Sequence, residues 1–245
     1  MSSLRKTLAA PVPEALRRQA WVVSRATAAG RWLRHVPVVA PKDLFPAVDE
    51  LSITMQHDYE PRGLPYGDAY VLSLVTAAVA PKRIFEIGTG TGRGTLAMLR
   101  QAPYAQVDTL DLGTQEAASL GTEEGDHPIE GGLVGEAWRG TSYEESITQH
   151  LGDSAAFDFS PFAGQCDLVF VDGAHTFEYA LCDSRTALRL IRPGGTIIWD
   201  DCHLVHAGVP KALLQLRREG HDVQRLTGSR LAILRTPSPT TQGGS

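Results

Sequence analysis

The spacing of apolar and polar positions changes twice along this chain. From Met1 to Val36 the apolar residues Leu16, Ala20, Val23, Ala26 and Leu33 recur at roughly helical spacing, which predicts a helical arm. A proline-punctuated connector follows at Pro37, Pro41 and Pro46, and Gly67 to Val75 then reads as a helix capped near Asp68. From Arg83 onward, short apolar runs alternate with helical stretches. Strands are predicted at 83–87, 106–112, 147–151, 167–172 and 195–200, and helices at 92–101, 177–190 and 209–219. Leu168-Val169-Phe170-Val171 and Thr196-Ile197-Ile198-Trp199 are continuously apolar or nearly so, as strands buried on both faces require. Residues 222–226 and 230–235, joined across Thr227-Gly228-Ser229, read as a hairpin closing the sheet edge. The alternation predicts an α/β fold: a doubly wound, Rossmann-like sheet of about seven strands, mostly parallel with a C-terminal antiparallel hairpin. The chain divides into a helical arm and connector (1–60), the main domain (61–236) and a polar, disordered tail (237–245).

One stretch breaks the rhythm. Residues 113–145 form a long connector between the second and third predicted strands, acidic at Glu123-Glu124-Gly125-Asp126 and then carrying Trp138 and Arg139. Connectors of this length act as lids or are disordered. Trp138 and Arg139 read either as groups that stack on or grip a substrate, or as anchors of the loop.

Composition narrows the field. At 245 residues and 42% hydrophobic the chain can bury a large core, and a net charge of −5 gives no reason to expect nucleic acid as a partner. Cys166, Cys182 and Cys202 form no metal-ribbon spacing, and the sparse count suits a reducing cytoplasm. No run is long enough for a transmembrane helix. Within 1–36 the basic residues Arg5, Lys6, Arg17, Arg18, Arg25, Arg31 and Arg34 face only Glu14. That arm reads as a surface for a membrane or anionic ligand, or as a packed helix with its arginines in solvent.

The chemistry concentrates at glycines and acids. Arg83 to Ile87 runs into Gly88-Thr89-Gly90-Thr91-Gly92, a strand, a glycine turn and a helix start. That combination makes a nucleotide-cofactor pocket, because bare backbone lets a ligand approach closely. A dinucleotide site needs G-x-G-x-x-G, yet Arg93 stands where the third glycine belongs, so the nicotinamide oxidoreductase reading is disfavoured. Glu86 beside the loop suits a cationic ligand and would repel a pyrophosphate. Thr109-Leu110-Asp111-Leu112, Gly152-Asp153-Ser154, Val171-Asp172-Gly173-Ala174-His175 and Trp199-Asp200-Asp201 follow in order.

Together these motifs resemble class I S-adenosylmethionine-dependent methyltransferases over roughly 66–236. Within them the chain resembles the bacterial metal-dependent O-methyltransferases of sugars and other small molecules, of the macrolide and aminocoumarin deoxysugar type. The resemblance implies S-adenosylmethionine as cofactor, held by Glu86, Gly88, Thr89, Gly90, Gly92, Asp111, Asp153, Ser154 and Asp172. Asp111 would take the ribose hydroxyls and Asp153 the adenine amino group. It implies Mg²⁺ or Mn²⁺ held by Asp172, Asp200 and Asp201, a hydroxyl-bearing small molecule as acceptor, and a homo-oligomer. Where related chains carry an aromatic residue after the acidic pair, Cys202 and His203 stand here.

The acids also have a reading independent of family. Asp172 and Asp200 end the two most apolar strands, so they should meet at one rim, where their repulsion calls for a cation. Oxygen-only ligands suit Mg²⁺ or Mn²⁺. His175 is the candidate general base; His203 could be base, ligand or neither, as could His206. Tyr179 could reach the same pocket or pack its helix, and Cys202 reads as a filler. The expectation is an O-methyltransferase of a sugar, glycoside or other secondary metabolite in the cytoplasm. Left open are a metal-independent enzyme with a histidine base and an O or N acceptor, and a cofactor-binding scaffold without turnover.

Overall fold

The computed structural model describes residues 26–27, 29–55, 64–112 and 134–238. The arm before residue 26, the acidic part of the connector (113–133) and the tail from 239 lie outside the described residues. Eight strands form one sheet in the order β1-β7-β8-β6-β5-β2-β3-β4. Their ranges are β1 Val38–Val39, β2 Arg83–Ile87, β3 Gln106–Asp111, β4 Ile147–Leu151, β5 Cys166–Val171, β6 Ile191–Trp199, β7 Gln224–Leu226 and β8 Ala232–Arg235. Helices are α1 Pro41–Leu44, α2 Tyr66–Val79, α3 Arg93–Gln101, α4 Phe177–Leu190 and α5 Gly208–Arg218. Only β8 runs against its neighbours β6 and β7; the other pairings are parallel.

Period-two alternation sends each central strand's side chains to two separate cores. Phe85, Ile87, Val169, Val171, Ile197 and Trp199 face α4 and α5. Ile84, Leu168, Phe170 and Ile198 face α2 and α3. Helices on both faces explain why these strands are apolar throughout. Trp199 also satisfies its indole, whose Nε1 donates to Ser184 Oγ on α4 at 2.9 Å.

The sheet departs from expectation at three places. It has an eighth strand, β1, whose Val38 and Val39 pair with Arg225 and Leu226, so the hairpin does not form the edge. Strand β6 begins at Ile191, four residues before the predicted start, because Cys166 already pairs with Ile191 before a register shift to Leu168–Thr196. Asp68 does not cap α2: the N-cap is Pro65 with no side-chain bond, and Asp68 is buried against Arg230 instead.

The winding order places the site. The chain steps outward from β2 through β3 to β4, then returns to β5 beside β2. Ligands bind at such a reversal, beyond the carboxyl ends of the strands. Ile87 and Val171 are partners at that seam, and Asp172 N–H donates to Ile87 O at 2.8 Å.

Candidate active site

Gly88 follows β2 with φ 97°, and a Cβ built on it would stand 2.0 Å from the carbonyl oxygen of Asp172. The two strand ends therefore touch only because this residue has no side chain. Gly92, with φ 85°, starts α3, and its Cβ would meet Trp138 Cδ1 at 2.4 Å. Gly135 N–H donates to Gly90 O at 3.0 Å and Ala137 N–H to Thr91 O at 2.9 Å. Trp138 is 4% exposed. Its ring lies under the Arg139 guanidinium at 5.1 Å. The end of the long connector thus anchors the glycine loop, which decides between the two readings of Trp138 and Arg139.

Behind the loop lies a polar chain that sequence reasoning had turned the other way. Glu86 is 1% exposed and accepts from Thr95 Oγ1 at 2.5 Å and Thr109 Oγ1 at 2.6 Å. Thr109 and Thr89 hydroxyls lie 2.7 Å apart, and Gln149 Nε2 donates to Thr89 Oγ1 at 3.0 Å. A Cβ on Gly94 would stand 2.8 Å from Glu86 Oε1, so this fourth glycine makes the room for the carboxylate. Glu86 and the Thr89 side chain are thus committed to fastening β2, β3 and α3 together.

At the seam, Asp172, Asp200 and Asp201 each offer an oxygen within 4.8 Å of the others. Asp201 has φ 55°, a strained conformation for a residue with a side chain. Its Oδ2 is 2.6 Å from His175 Nε2, and its Oδ1 is 2.9 Å from both His203 Nε2 and Arg230 Nη1. Arg230, which the sequence reading missed, also contacts Asp200 Oδ2 at 3.5 Å and Asp68 Oδ2 at 2.6 Å. It stands 29 residues beyond Asp201, on the hairpin, where no local pattern marks it. The His175 and His206 rings stack at 3.9 Å. His203 is spoken for at both nitrogens, since its Nδ1 accepts from Val205 N–H at 3.2 Å. That tautomer leaves it a holder of Asp201 rather than a base.

The ribose and adenine candidates stand along the next two strand ends. Asp111 Oδ2 accepts from Gly90 N–H at 2.7 Å and its Oδ1 from Leu112 N–H at 2.7 Å. Each oxygen keeps a further lone pair for a hydroxyl. Asp153 accepts from Ala155 N–H at 2.9 Å and from the Tyr179 hydroxyl at 3.1 Å, so Tyr179 reaches the adenine candidate rather than His175.

Residues 85–202, from β2 to just past the acidic pair, match the family model described as a methyltransferase domain. Over that stretch, just under half of its length, the chain is similar to a methyltransferase domain. Solved structures share the fold. SAH-bound PaMTH1, a methyltransferase of Podospora anserina, is 20% identical, with a TM-score of 0.51 covering 97% of this chain and 100% of that one. TomG of Streptomyces achromogenes, an O-methyltransferase of tomaymycin synthesis solved with SAM, is 19% identical, with a TM-score of 0.50 covering 79% and 96%. Cofactor-bound Rv0187 from MTB is 17% identical, with a TM-score of 0.50 covering 95% and 93%. No curated protein matches the chain.

The acids at the seam fall into two kinds. Burial, then Asp200 and Asp201, push Asp172 well above the usual carboxylate range. Burial and Asp201 raise Asp200 to about 7, against the pull of Arg230. Burial also raises Asp201, but bonds from His175 and His203 and the charges of His175 and Arg230 carry it far below the usual range. Among the described residues no hydrogen-bond donor reaches the Asp172 carboxylate. A hard divalent cation fits this donor set, because it would offset the burial and the mutual repulsion that raise Asp172 and Asp200.

Burial raises Glu86 to about 7, its bonds to Thr109 and Thr95 opposing that shift. A raised carboxyl stabilises the fold below its unfolded pKa and loses that contribution as pH rises through the folded value. Glu86→Gln removes the titration. Thermal melts should show the variant gaining on the parent from pH 5 to pH 8.5, by up to about 3 kcal/mol; parallel curves would refute the assignment. Gly88→Ala should abolish S-adenosylhomocysteine binding in calorimetry, since no side-chain shift relieves a clash with backbone.

Proposed function

We propose that the chain is an S-adenosylmethionine-dependent O-methyltransferase acting on a hydroxyl of a small molecule such as a sugar, glycoside or other secondary metabolite. The observation that carries this reading is the His175–Asp201 pair at 2.6 Å, set at the strand seam beside the glycine loop. Two proteins of the same fold, TomG with bound SAM and PaMTH1 with bound SAH, support it, the first being an O-methyltransferase.

The parts divide the work by chemistry. Gly88, Gly90 and Gly92 shape the loop that meets the cofactor, Asp111 takes the ribose hydroxyls and Asp153 the adenine amino group. Glu86 and Thr89 serve from behind, keeping the loop in shape. His175 takes the proton of the acceptor hydroxyl. Asp201 holds its Nε2 at 2.6 Å, and ionised Asp201 stabilises the imidazolium that forms. The acceptor oxygen then displaces the cofactor's methyl group in line with the sulfonium, a step that depends on positioning more than on covalent help.

Asp172, Asp200 and Asp201 would hold Mg²⁺ or Mn²⁺, which supplies Lewis acidity toward the acceptor oxygen. A second reading dispenses with it. Arg230 already lies against Asp200 and Asp201, so part of the negative charge is balanced by the chain itself. In that case His175 alone carries the proton transfer.

His175→Ala should lower turnover by about 10²–10⁴-fold while S-adenosylhomocysteine affinity stays within about twofold; unchanged turnover would remove His175 from the reaction. Mn²⁺ binding followed by electron paramagnetic resonance decides between the two readings. Binding to the parent that is lost in Asp200→Asn/Asp201→Asn supports the metal-assisted enzyme. A parent that binds no Mn²⁺ and turns over in chelator leaves the histidine reading.

A further inference from the structure

Beneath the adenine end of the site stands a carboxylate that no step above uses. Asp183 lies on α4, is 1% exposed, and neither of its oxygens has a hydrogen-bond partner. Buried carboxylates are ordinarily paired or bonded, so an orphan of this kind marks a partner that arrives with a ligand or moves when one binds.

Its surroundings name that partner. A Cβ built on Gly173 would stand 3.0 Å from Asp183 Oδ2 and 3.7 Å from Ile87 Cγ2, so the carboxylate sits directly behind the seam of β2 and β5. On its other side is the turn after β4. Burial lifts Asp183 to about 7, and the Ser154 hydroxyl lies near enough to draw it back down without closing a hydrogen bond. One helical turn earlier, Tyr179 donates to Asp153 Oδ2 at 3.1 Å. Helix α4 therefore meets the Asp153-Ser154 turn with two side chains, Tyr179 at the acid and Asp183 beside the hydroxyl.

We propose that Asp183 is a positioning residue for adenine recognition: with cofactor bound, the Ser154 hydroxyl donates to Asp183 and fixes the turn so that Asp153 meets the adenine amino group. The inference rests on the reading of Asp153 given above. Asp183 touches neither the reacting atoms nor the base; it acts through Ser154. Gly173 is part of the same device, because a side chain there would press on the carboxylate.

The test is calorimetric binding of S-adenosylhomocysteine and of S-inosylhomocysteine, in which an oxo group replaces the adenine amino group. The parent should prefer the adenine compound. Asp183→Ala and Ser154→Ala should each weaken it by about tenfold and leave the inosine compound within about twofold, so that the preference collapses. Combining them should add nothing, because both remove one bond. Asp183→Asn keeps an accepting oxygen for Ser154 and should retain the preference. If Asp183→Ala does not fold, Ser154→Ala alone carries the same expectation, its turn being partly exposed. Equal weakening of both compounds, additive losses, or unchanged adenine affinity would overturn the proposal. A parent that binds neither compound, or binds both equally, would instead overturn the cofactor or Asp153 reading beneath it.

Discussion

Four acids, Asp68, Asp172, Asp200 and Asp201, crowd one rim, and the side chain that lets them stay there is Arg230. Its guanidinium meets Asp68, Asp200 and Asp201, and its backbone N–H donates to Asp68 at 2.7 Å. Its partners come from α2 and the end of β6, while Arg230 precedes β8, so one ion cluster ties α2, the site strand and the hairpin together. Removing one partner of such a buried set leaves uncompensated charge, a loss on the order of 3–5 kcal/mol. The same cluster holds Asp201 in its left-handed conformation, which costs about 1–3 kcal/mol and persists only where surroundings over-determine it. His175, His203 and Arg230 together supply that determination.

The seam between β2 and β5 makes the cofactor loop and the acid cluster one object. Asp172 contributes its carbonyl to contact with Gly88 and its carboxyl to the cluster. A displacement of either strand end therefore moves the donor side and the acceptor side together. That is what an in-line transfer needs, since its rate depends on the reacting atoms being held within a few tenths of an ångström.

Regular elements were legible where pattern is local. β2, β4 and α4 have the bounds that alternation and helical spacing predict; β2 and α4 are apolar on the faces they bury, whereas β4 half-buries Gln149 and His150 and exposes Leu151. β1 was not, being two residues between prolines with no pattern of its own. The site was legible as a set of residue types and not as a set of roles. Glu86 reads as a ligand-facing acid from its motif, yet it sits between Phe85 and Ile87, whose side chains face the α4 side, so alternation alone turns it towards α3. Gly94 carried the missing signal, a small residue in the first turn of α3 that leaves space for a buried carboxylate. Arg230 and Asp183 could not be found that way, because their partners are distant in sequence and meet only through the winding of the sheet.

The two kinds of acid at the rim set what the site can exchange. Asp201 stays ionised, and so can serve His175 throughout the neutral range. Asp172 and Asp200 are held near or above neutrality by burial and by each other. Environments that push neighbouring carboxyls apart in this way separate their roles. A divalent cation held there would compete with protons for the oxygens of Asp172 and Asp200, while Arg230 stands 3.5 Å from Asp200. The affinity for such a cation would rise with pH through the range where Asp200 ionises, and the charge that Arg230 supplies would limit how strongly it rises.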